Sequence, residues 1–559
     1  MKSNIFLTSA LAGLLMMSSC SDFLEQTNTT QANEDTFYDN DEAVAAAVYP
    51  LYNYCWNNFN NKFSWAVGDG RANNITAQYS DYVKFYCNFT ETSLTEGLEE
   101  AWGSLYLVVS SSNNVINAIK ASSGPSETAK IQGMAEARFM RGVAYWYIGS
   151  IWGRAILYTD TKYQQQHAIC PAHRQTDVME FAIRDLEYAA ANLPQTQSQT
   201  GRVNSYSAYG LLSRIYLSMA GLTTEGEYDG TNIATDYNRA TRNPYYLDLA
   251  RKAALKCIEG PFKLMDDYED LFNLATQNNN SESVFQLQFM AGDPQGGMGF
   301  GCNNQMTAFF GWSTMIADGN WGGSTFASYD LVKTYDAKDR KRRHATICTY
   351  GESYPKLGGY TYPTDGDGIG EKAREQCNII KHVYGTHAMN GQTYLHNSGA
   401  NAYMMRLAEV YLNLAEAVMG NNASTSDETA LTYYNAVRTR AGMETKRTIT
   451  YDDIHYERRI ELAMEGQYWY DLLRRSYYKR QEVLNYVNSQ HRNCSYEFDE
   501  TEPSQYAFKE EGKGVSTATE ARFTFPFSDV DLTRNPKLGG EPVAYEFGEK
   551  EVTAAQLYN

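Results

Sequence analysis

The chain has few basic residues and no long apolar run after its first twenty positions. It contains 48 Lys and Arg against 66 Asp and Glu, which gives a formal net charge of −18. This balance argues against nucleic acid or an anionic lipid surface as the main partner, because both are themselves negatively charged. No window of roughly 18 apolar residues follows Cys20, so we expect that the chain beyond it does not cross a membrane.

Signatures of metal binding and of catalysis are also missing. The cysteines form no CxxC pair, and no Cys/His cluster has the spacing of a zinc site. The motifs HExxH and GxSxG and the glycine-rich nucleotide loops do not occur, so we predict no cofactor and no catalytic residue. The segment 365–368 (Asp-Gly-Asp-Gly) resembles the start of a calcium loop, but the remaining ligand positions are missing, which favours a tight acidic turn. For the cysteines after Cys20, disulfides and buried free thiols both remain open.

The first twenty residues have the features of a bacterial export signal. Lys2 precedes an apolar run from Ile5 to Met17, which is too short to span a bilayer. Two serines then lead into Cys20, in an arrangement that resembles a lipobox, whose cysteine carries a diacylglycerol. We therefore expect a signal peptide over 1–19 and a lipidated tether over 20–40, held by acyl chains in which each buried methylene contributes about 0.8 kcal/mol. The alternative is an ordinary signal peptide with an incidental cysteine.

From Asp41 onward, apolar residues recur at the spacing of amphipathic helices. Helix–turn–helix pairs about 34–45 residues apart indicate tetratricopeptide-like stacking, although the strict consensus is absent. In the helix near 203–220, Arg214 lies outside the apolar stripe. We predict helices near 41–54, 95–120, 126–150, 175–193, 203–220, 245–258 and 403–419.

The middle of the chain, about 261–400, has a different composition. Residues 283–289 alternate like a half-buried strand, and glycine-rich loops with several aromatic residues follow. Long loops inserted in a helical scaffold are usually functional, so we interpret them as a ligand-bearing surface. The predicted fold class is therefore mainly α, with tetratricopeptide-like helical repeats and an inserted loop-rich region that contains short strands. We expect one domain over 41–559, with the helical scaffold at 41–260 and 403–480 and a loop and strand segment at 481–559.

Seven segments, taken together, resemble the SusD/RagB family of outer-membrane nutrient-binding lipoproteins. Each alone is weak, but they occur in the family's order from Cys20 to about Leu538. The segments are CSDFLEQ after the signal, AEARFMRGVAYWYIGSIWGRAIL (135–157), GRVNSYSAYGLLSRIYLSMAG (201–221), RLAEVYLNLAEAV (406–418), AVRTRAG (436–442), ERRIELAMEGQYWYDLLRR (457–475) and FTFPFSDVDLTRNPKL (523–538).

The resemblance implies a non-catalytic protein that is lipid-anchored on the outer membrane and faces the cell exterior. It further implies an oligosaccharide ligand held on loops away from the helical repeats. The implied partner is a SusC-like TonB-dependent outer-membrane transporter, which the protein covers like a lid. Three alternatives remain: a RagB-like peptide-binding protein, a surface glycoside hydrolase with two positioned carboxylates, and a purely structural lipoprotein.

Aromatic residues in the glycine-rich loops are the first candidates for sugar contact. A pyranose ring has apolar C–H faces that stack on aromatic platforms and a rim of hydroxyls that bonds polar side chains. Trp321 stands between Asn320 and two glycines, just before a helix predicted at 325–335, where the family often places a glycan-binding aromatic. Trp312 and Tyr360 are the companion candidates.

The loop after Trp65 is the second candidate region. Asp69, Arg71 and Asn73 offer hydrogen-bonding groups, and Tyr79 offers a second platform. The competing interpretation is that a salt bridge and Asx turns brace this loop.

Several other conspicuous residues are predicted to be structural. The tryptophans Trp102, Trp146 and Trp469 lie in helical patterns and are expected in the core. The charged residues of the 457–475 segment are expected on one helix, paired at i,i+3 and i,i+4 in a packing surface. They are Glu457, Arg458, Arg459, Glu461 and Asp471.

Overall fold

Helices make up most of the protein, whose computed structural model describes residues 38–77, 82–291, 302–310, 324–362, 373–394, 397–499, 501 and 505–558. The described helices are numbered here in chain order. They are α1 (Asp41–Ala47), α2 (Val83–Cys87), α3 (Leu98–Ala121), α4 (Glu127–Trp152), α5 (Thr161–Gln166), α6 (Gln175–Asn192), α7 (Ser205–Leu222), α8 (Pro244–Ile258), α9 (Tyr329–Thr334), α10 (Arg340–Thr346), α11 (His387–Asn390), α12 (Leu407–Met419), α13 (Glu428–Arg440), α14 (Tyr451–Glu461), α15 (Tyr468–Ser476), α16 (Arg480–Ser489), α17 (Asp529–Arg534) and α18 (Ala554–Tyr558).

The described strands are short and antiparallel, and they form one three-stranded sheet and several two-stranded ones. The three-stranded sheet has the order β1–β5–β8, and the pairs are β2–β3, β4–β11, β6–β7, β9–β10, β12–β13 and β14–β15. The strands are β1 (Ile75–Ala77), β2 (Arg154–Ala155), β3 (His173–Arg174), β4 (Ser283–Leu287), β5 (Thr325–Ala327), β6 (Ser353–Tyr354), β7 (Tyr360–Thr361), β8 (Cys377–Asn378), β9 (Thr393–Tyr394), β10 (Asn397–Ser398), β11 (Ala402–Arg406), β12 (Ser424–Thr425), β13 (Ile449–Thr450), β14 (Ser495–Phe498) and β15 (Tyr506–Glu510).

The long helices pack in succession, each against its neighbour. Contacts run from α3 to α4, α6, α7 and α8, and then directly to α12 and α13. The loop-rich region between α8 and α12 is therefore an insertion, because the helix before it packs on the helix after it. This arrangement agrees with the predicted helical repeats.

Helix α4 shows how local sequence sets the boundaries of a buried helix. The Ser126 side chain accepts a hydrogen bond from the Ala129 N–H, and the helix ends at Gly153, whose φ of 70° suits glycine. Every residue from Ala135 to Trp152 is buried, as expected of a helix that is enclosed on all sides. The predicted core residues Trp102, Trp146 and Trp469 are all buried, which confirms that prediction.

Helix α7 is enclosed more completely than its apolar stripe indicates. Arg214, outside that stripe, is buried because its Nε donates to Glu409 at 2.7 Å and its guanidinium lies over the Trp146 ring. The Glu409 carboxylate from α12 compensates the positive charge of Arg214, and burying that charge without a partner would cost much free energy.

Three predicted element boundaries are wrong. The first helix ends at Ala47 and gives way to short 3₁₀ turns. Residues 403–406, expected at the start of a helix, instead belong to β11, which pairs with β4. Thr325 to Ala327, also expected in a helix, form β5, which pairs with β1. In both strands a pairing partner from a distant part of the chain overrides the local pattern.

The 457–475 segment forms two helices, α14 and α15, and not the single helix predicted. The chain turns between them, where Met464 and Gly466 have φ values of 66° and 72°. Arg458 pairs with Asp471 across that turn, Nε to Oδ2, at 2.8 Å. The charged residues form a buried packing surface, but the prediction that they pair with one another along one helix is wrong. Glu457, Arg458 and Glu461 pair with residues of other elements, and Arg459 bonds neutral groups. Asp471 pairs with Arg458 across the turn and with Arg474 at i,i+3 in α15.

A buried ion-pair network joins α14 to the loop-rich insertion. Among the described residues it links five carboxylates with five cations, so its formal charges balance. The members are Asp339, Glu282, Glu457, Glu461, Glu465, Arg342, Lys381, Arg406, Arg438 and Arg440.

The cysteines of the described chain are free thiols. Cys55, Cys87, Cys257, Cys348 and Cys377 are buried, and the others are partly buried. Burial raises the pKa of the Cys257 thiol above its ordinary value, which keeps it protonated and inert at neutral pH.

Candidate functional site

The predicted ligand loops adjoin the small sheet β1–β5–β8. Ala77, the last residue of β1, pairs with Thr325, the first residue of β5, in the antiparallel register. The described chain therefore leaves β1 and enters β5 at the same end of the sheet. This register links the two predicted ligand regions, the loop after Trp65 and the glycine-rich loop before β5.

Several predicted contacts lie outside the described residues. They are Trp312, Asn320, Trp321 and the platform residue Tyr79. The predicted acidic turn at 365–368 and the predicted lipidation site Cys20 also lie outside the described residues. Their roles stay predictions.

Asp69 is a structural residue and not a ligand contact. It lies in a π-helical turn, Ala66–Gly70, and is fully buried. Its carboxylate accepts hydrogen bonds from the backbone N–H groups of Met464 at 2.9 Å and Gly466 at 2.6 Å, and from the Asn74 side chain at 2.9 Å. Burial raises the pKa of Asp69 to about 6, and these hydrogen bonds limit the rise. Asp69 thus holds the turn between α14 and α15.

Arg71 is likewise enclosed and has its partners inside the protein. It pairs with Glu91 at 3.0 Å, and neither side chain is exposed. Its guanidinium lies over the rings of Phe525 at 4.3 Å, Phe89 at 4.7 Å and Trp469 at 5.0 Å. This aromatic enclosure explains the burial of the charge, and burial lowers the pKa of Arg71.

Asn73 is the third predicted contact in this loop that is buried. It has a φ of 62°, is 1% exposed, and donates from Nδ2 to Asp330 at 2.8 Å. Its backbone carbonyl accepts from the Ser328 hydroxyl and from Arg459 at 3.2 Å. All three side chains are at most 1% exposed, and a ligand at the surface cannot reach them. The expectation that Asp69, Arg71 and Asn73 contact a ligand is therefore wrong. The competing interpretation, a braced loop, is the better one.

Tyr360 is the partly exposed member among the predicted contacts that the structure describes. It lies in β7 opposite Tyr354 of β6, in a hairpin whose turn contains Gly358 and Gly359 with φ values of 67° and 78°. One side of its ring packs on the hydrophobic core. Its position allows ligand contact, and this role stays a prediction.

A buried aromatic layer around Trp65, which the sequence does not predict, lies close to β5. Trp65 is buried, with its ring centroid 4.8 Å from Phe310 and 5.5 Å from Phe309. The His382 ring lies 5.6 Å from Phe310, and its Nε2 is 2.6 Å from the Met464 carbonyl oxygen. Burial lowers the pKa of His382 to about 4, so the imidazole is neutral at pH 7 and donates to that oxygen. These residues form a buried layer next to β5, because the hydroxyl of Thr325, its first residue, donates to the Phe309 carbonyl.

The described residues contain neither a metal-binding cluster nor a membrane-spanning helix. Within the described ranges, no group of three or more His, Cys, Asp or Glu residues is placed to hold a metal ion. In the same part of the chain, no helix is long and apolar enough to cross a bilayer.

Comparison with family models finds two matches that together cover most of the chain. Residues 268–542 match the model described as the SusD family. Residues 22–217 match one described as starch-binding associating with outer membrane. A SusD-like protein of Bacteroides ovatus is 36% identical over 581 residues, which covers 98% of this chain and 99% of that protein.

Solved structures of similar proteins share the fold. One crystal structure is 34% identical with a TM-score of 0.82, and covers 92% of this chain and 100% of its own. Another, of a protein with xylogluco-oligosaccharide, is 35% identical with a TM-score of 0.79, and covers 91% of this chain and 100% of its own. These matches confirm the predicted mainly α fold class.

Proposed function

The chain belongs to the SusD family, and we propose that it binds an oligosaccharide at the bacterial outer membrane and leaves it chemically unchanged. The observation that carries this proposal is the similarity, at 35% identity over 91% of this chain, to a protein crystallised with xylogluco-oligosaccharide. We take the same ligand class as the first candidate here.

The ligand site that we propose is the surface formed by the loops around β1 and β5. Trp321 is its principal platform, Trp312, Tyr79 and Tyr360 are further aromatic contacts, and Asn320 is a hydrogen-bonding partner. The pairing of Ala77 with Thr325 supports this grouping, since it brings the ends of two of these loops together. A protein that must hold a sugar without reacting needs aromatic faces and partners for the hydroxyl groups.

The cellular setting is part of the same proposal. Acylated Cys20 anchors the protein on the outer membrane with the loops facing outward, and a SusC-like TonB-dependent transporter receives the oligosaccharide from it. The sequence around Cys20 and the family model described as associating with outer membrane support this setting.

Isothermal titration calorimetry with a xylogluco-oligosaccharide tests the binding site. Trp321→Ala is expected to weaken binding by about 1–3 kcal/mol, the range for losing an aromatic hot spot. The control is Tyr163→Ala, which removes an aromatic side chain that is 58% exposed on α5; its affinity should equal that of the wild type. Equal affinity for Trp321→Ala and wild type would contradict the site.

The same samples test whether the protein acts on its ligand. Chromatography of the oligosaccharide after prolonged incubation should return it intact, and shorter products would favour a glycoside hydrolase. Binding of a peptide mixture with no binding of the oligosaccharide would favour the RagB-like alternative.

A further inference from the structure

A cleft of about 510 Å³ opens beside the N-terminal end of α3, and the proposed function does not use it. Its walls come from three parts of the chain: the 3₁₀ turn Tyr54–Trp56 with the two asparagines after it, the first turns of α3, and α17. None of these residues belongs to the loops around β1 and β5. The volume lies within the range of roughly 300–1,000 Å³ that is typical of small-molecule sites.

Hydrogen bonds between the 3₁₀ turn and α3 fix the base of the cleft. The Ser104 hydroxyl donates to the Cys55 carbonyl at 2.7 Å and accepts from the Phe59 N–H at 3.3 Å. Ser104, Cys55 and Phe59 are all buried, so solvent does not compete for these bonds. Tyr54 directly precedes Cys55, and its backbone is therefore held in place while its side chain lines the open cleft.

Tyr54 presents an aromatic face that a ligand can reach. It is 56% exposed, and within the described part of the chain no other ring and no Lys or Arg side chain stacks on it. Its hydroxyl makes no hydrogen bond to a described residue. Gly103, on the α3 side of the cleft, adds space, because a Cβ atom there would meet nothing within 4 Å. Such an open face suits the apolar C–H side of a sugar ring.

Two amide side chains close to Tyr54 in the sequence line the same cleft and keep free hydrogen-bonding capacity. Asn58 is exposed and Asn57 is partly exposed. Among the described residues their side chains make a single hydrogen bond, from Asn57 Nδ2 to Asn58 Oδ1, and at 3.4 Å it is long. Asn57 Oδ1 and Asn58 Nδ2 therefore remain as an acceptor and a donor for the hydroxyl groups of a ligand.

The charged groups of the cleft favour an uncharged ligand. Three carboxylates, Glu99, Glu100 and Asp531, face one guanidinium, Arg534, which gives the lining a formal charge of −2 and opposes an anion. Each carboxylate already has a donor: Arg534 bonds Glu99 at 2.8 Å, a backbone N–H bonds Glu100 at 3.0 Å, and a serine hydroxyl bonds Asp531 at 2.6 Å. A cation would therefore find no unpaired carboxylate, whereas the solvent-exposed Glu99–Arg534 pair can bond neighbouring hydroxyl groups.

We propose that this cleft binds an uncharged sugar unit, as a second site built from elements other than the Trp321 loop. The sugar ring stacks on Tyr54, and its hydroxyl groups bond the amides of Asn57 and Asn58. All three side chains are accessible to solvent in the free protein, so the ligand needs no rearrangement of the core. The inference rests on the proposed function for its ligand class alone, because the binding groups are different ones.

Saturation-transfer NMR of the full chain tests whether the cleft binds sugar. The background is the double variant Trp312→Ala, Trp321→Ala, which removes the tryptophans of the proposed loop site. The probes are D-glucose, D-xylose and D-galactose, with D-glucuronate to test charge. We expect at least one neutral sugar to bind this background, and D-glucuronate to bind it more weakly. Absence of binding by all three neutral sugars, or tighter binding of D-glucuronate, overturns the proposal.

Two substitutions in the same background locate the binding. Tyr54→Ala removes the aromatic face and Gly103→Leu fills the space on the α3 side, so each should weaken binding of the sugar at least about tenfold. Gly103→Leu replaces a glycine inside a helix by a stronger helix former and should not destabilise the fold, which separates loss of binding from unfolding. Unchanged affinity in either variant overturns the proposal.

Each substitution has a matched control. Tyr163→Ala removes a tyrosine that is 58% exposed on α5, close to the exposure of Tyr54. Asn114→Leu places the same leucine at an exposed position of α3, about three turns and roughly 16 Å beyond Gly103 on nearly the same face. Both controls should bind the sugar with the affinity of the background. A tenfold loss in either control would overturn the assignment of the sugar to the cleft.

Failure of this inference is distinguishable from failure of the proposed function. If the wild type binds the xylogluco-oligosaccharide through Trp321 while the background binds no neutral sugar, the cleft alone is wrong. If a sugar binds the background and Tyr54→Ala removes that binding, but Trp321→Ala binds the oligosaccharide as the wild type does, the cleft stands and the loop site is wrong.

Discussion

Replacing Arg406 by Met provides a direct test of the buried ion-pair network. Arg406 is 1% exposed and contacts three carboxylates: Glu465 at 2.7 Å, Glu461 at 3.1 Å and Glu282. The substitution keeps a long unbranched side chain but removes the positive charge. Removing one partner of a buried ion pair typically costs about 3–5 kcal/mol, because the remaining charge stays buried without compensation.

The network geometry places the expected loss near the lower end of that range. Glu465 keeps Lys381 at 2.7 Å, and Glu282 and Glu461 both keep Arg440. No carboxylate is therefore left without a cation, and the three contacts of Arg406 must not be added as independent terms. We expect Arg406→Met to lower the free energy of unfolding by about 3 kcal/mol.

Urea denaturation at pH 7 measures this change, with Arg251→Met as the matched control. Arg251 pairs with Asp248 at 2.7 Å, but the side chains are 39% and 45% exposed. Screening by solvent limits such a pair to about 0–1 kcal/mol. Similar losses in the free energy of unfolding for the two variants would refute the inference that burial makes the network important for stability.

Two further predictions concern other buried contacts. Burial raises the pKa of Glu416, but Arg474 and a second arginine outweigh it and hold the value at about 2, against 4.5. The ionised form therefore stabilises the fold above pH 4.5, and this stabilisation is lost as the pH falls toward 2. Glu416→Gln should lower the free energy of unfolding by about 3 kcal/mol at pH 7 and by progressively less below pH 4.5. A loss that does not change with pH would contradict this reasoning. A Cβ atom on Gly68 would lie 2.1 Å from the Gly466 carbonyl, whereas one on Gly103 meets nothing within 4 Å. Thermal unfolding should show a loss of about 3 kcal/mol for Gly68→Ala and none for Gly103→Ala, and equal behaviour would indicate that the backbone moves aside.

The sequence identifies the long helices well because their evidence is local. Predicted helices near 126–150 and 175–193 are observed as α4 and α6 with shifts of one or two residues at their ends. Their apolar residues recur at helical spacing, and α4 also has Ser126 as a capping residue and Gly153 at its end. Neither feature depends on a distant partner.

The loop after Trp65 shows why the site is harder to predict. Polar residues in a glycine-containing loop can either contact a ligand or brace the loop internally. Which of the two they do depends on the residues to which they are hydrogen-bonded. Asp69 bonds the backbone 395 and 397 residues further along the chain, and Asn73 bonds Asp330. The backbone groups at Met464 and Gly466 leave no mark in the sequence, so composition alone could not identify Asp69 as a buried anchor.

The same long-range bonds determine when the loop region can be completed during synthesis. The Asp69 carboxylate needs the turn at Met464 and Gly466, and Arg71 donates to the carbonyl of Arg522. Because a chain emerges from the ribosome with its N-terminus first, the early helices can form while this region waits for Arg522, which is made 451 residues after Arg71. Any chaperone that escorts the growing chain would therefore have to protect Asp69 and Arg71 until the residues around Gly466 and Arg522 have been made.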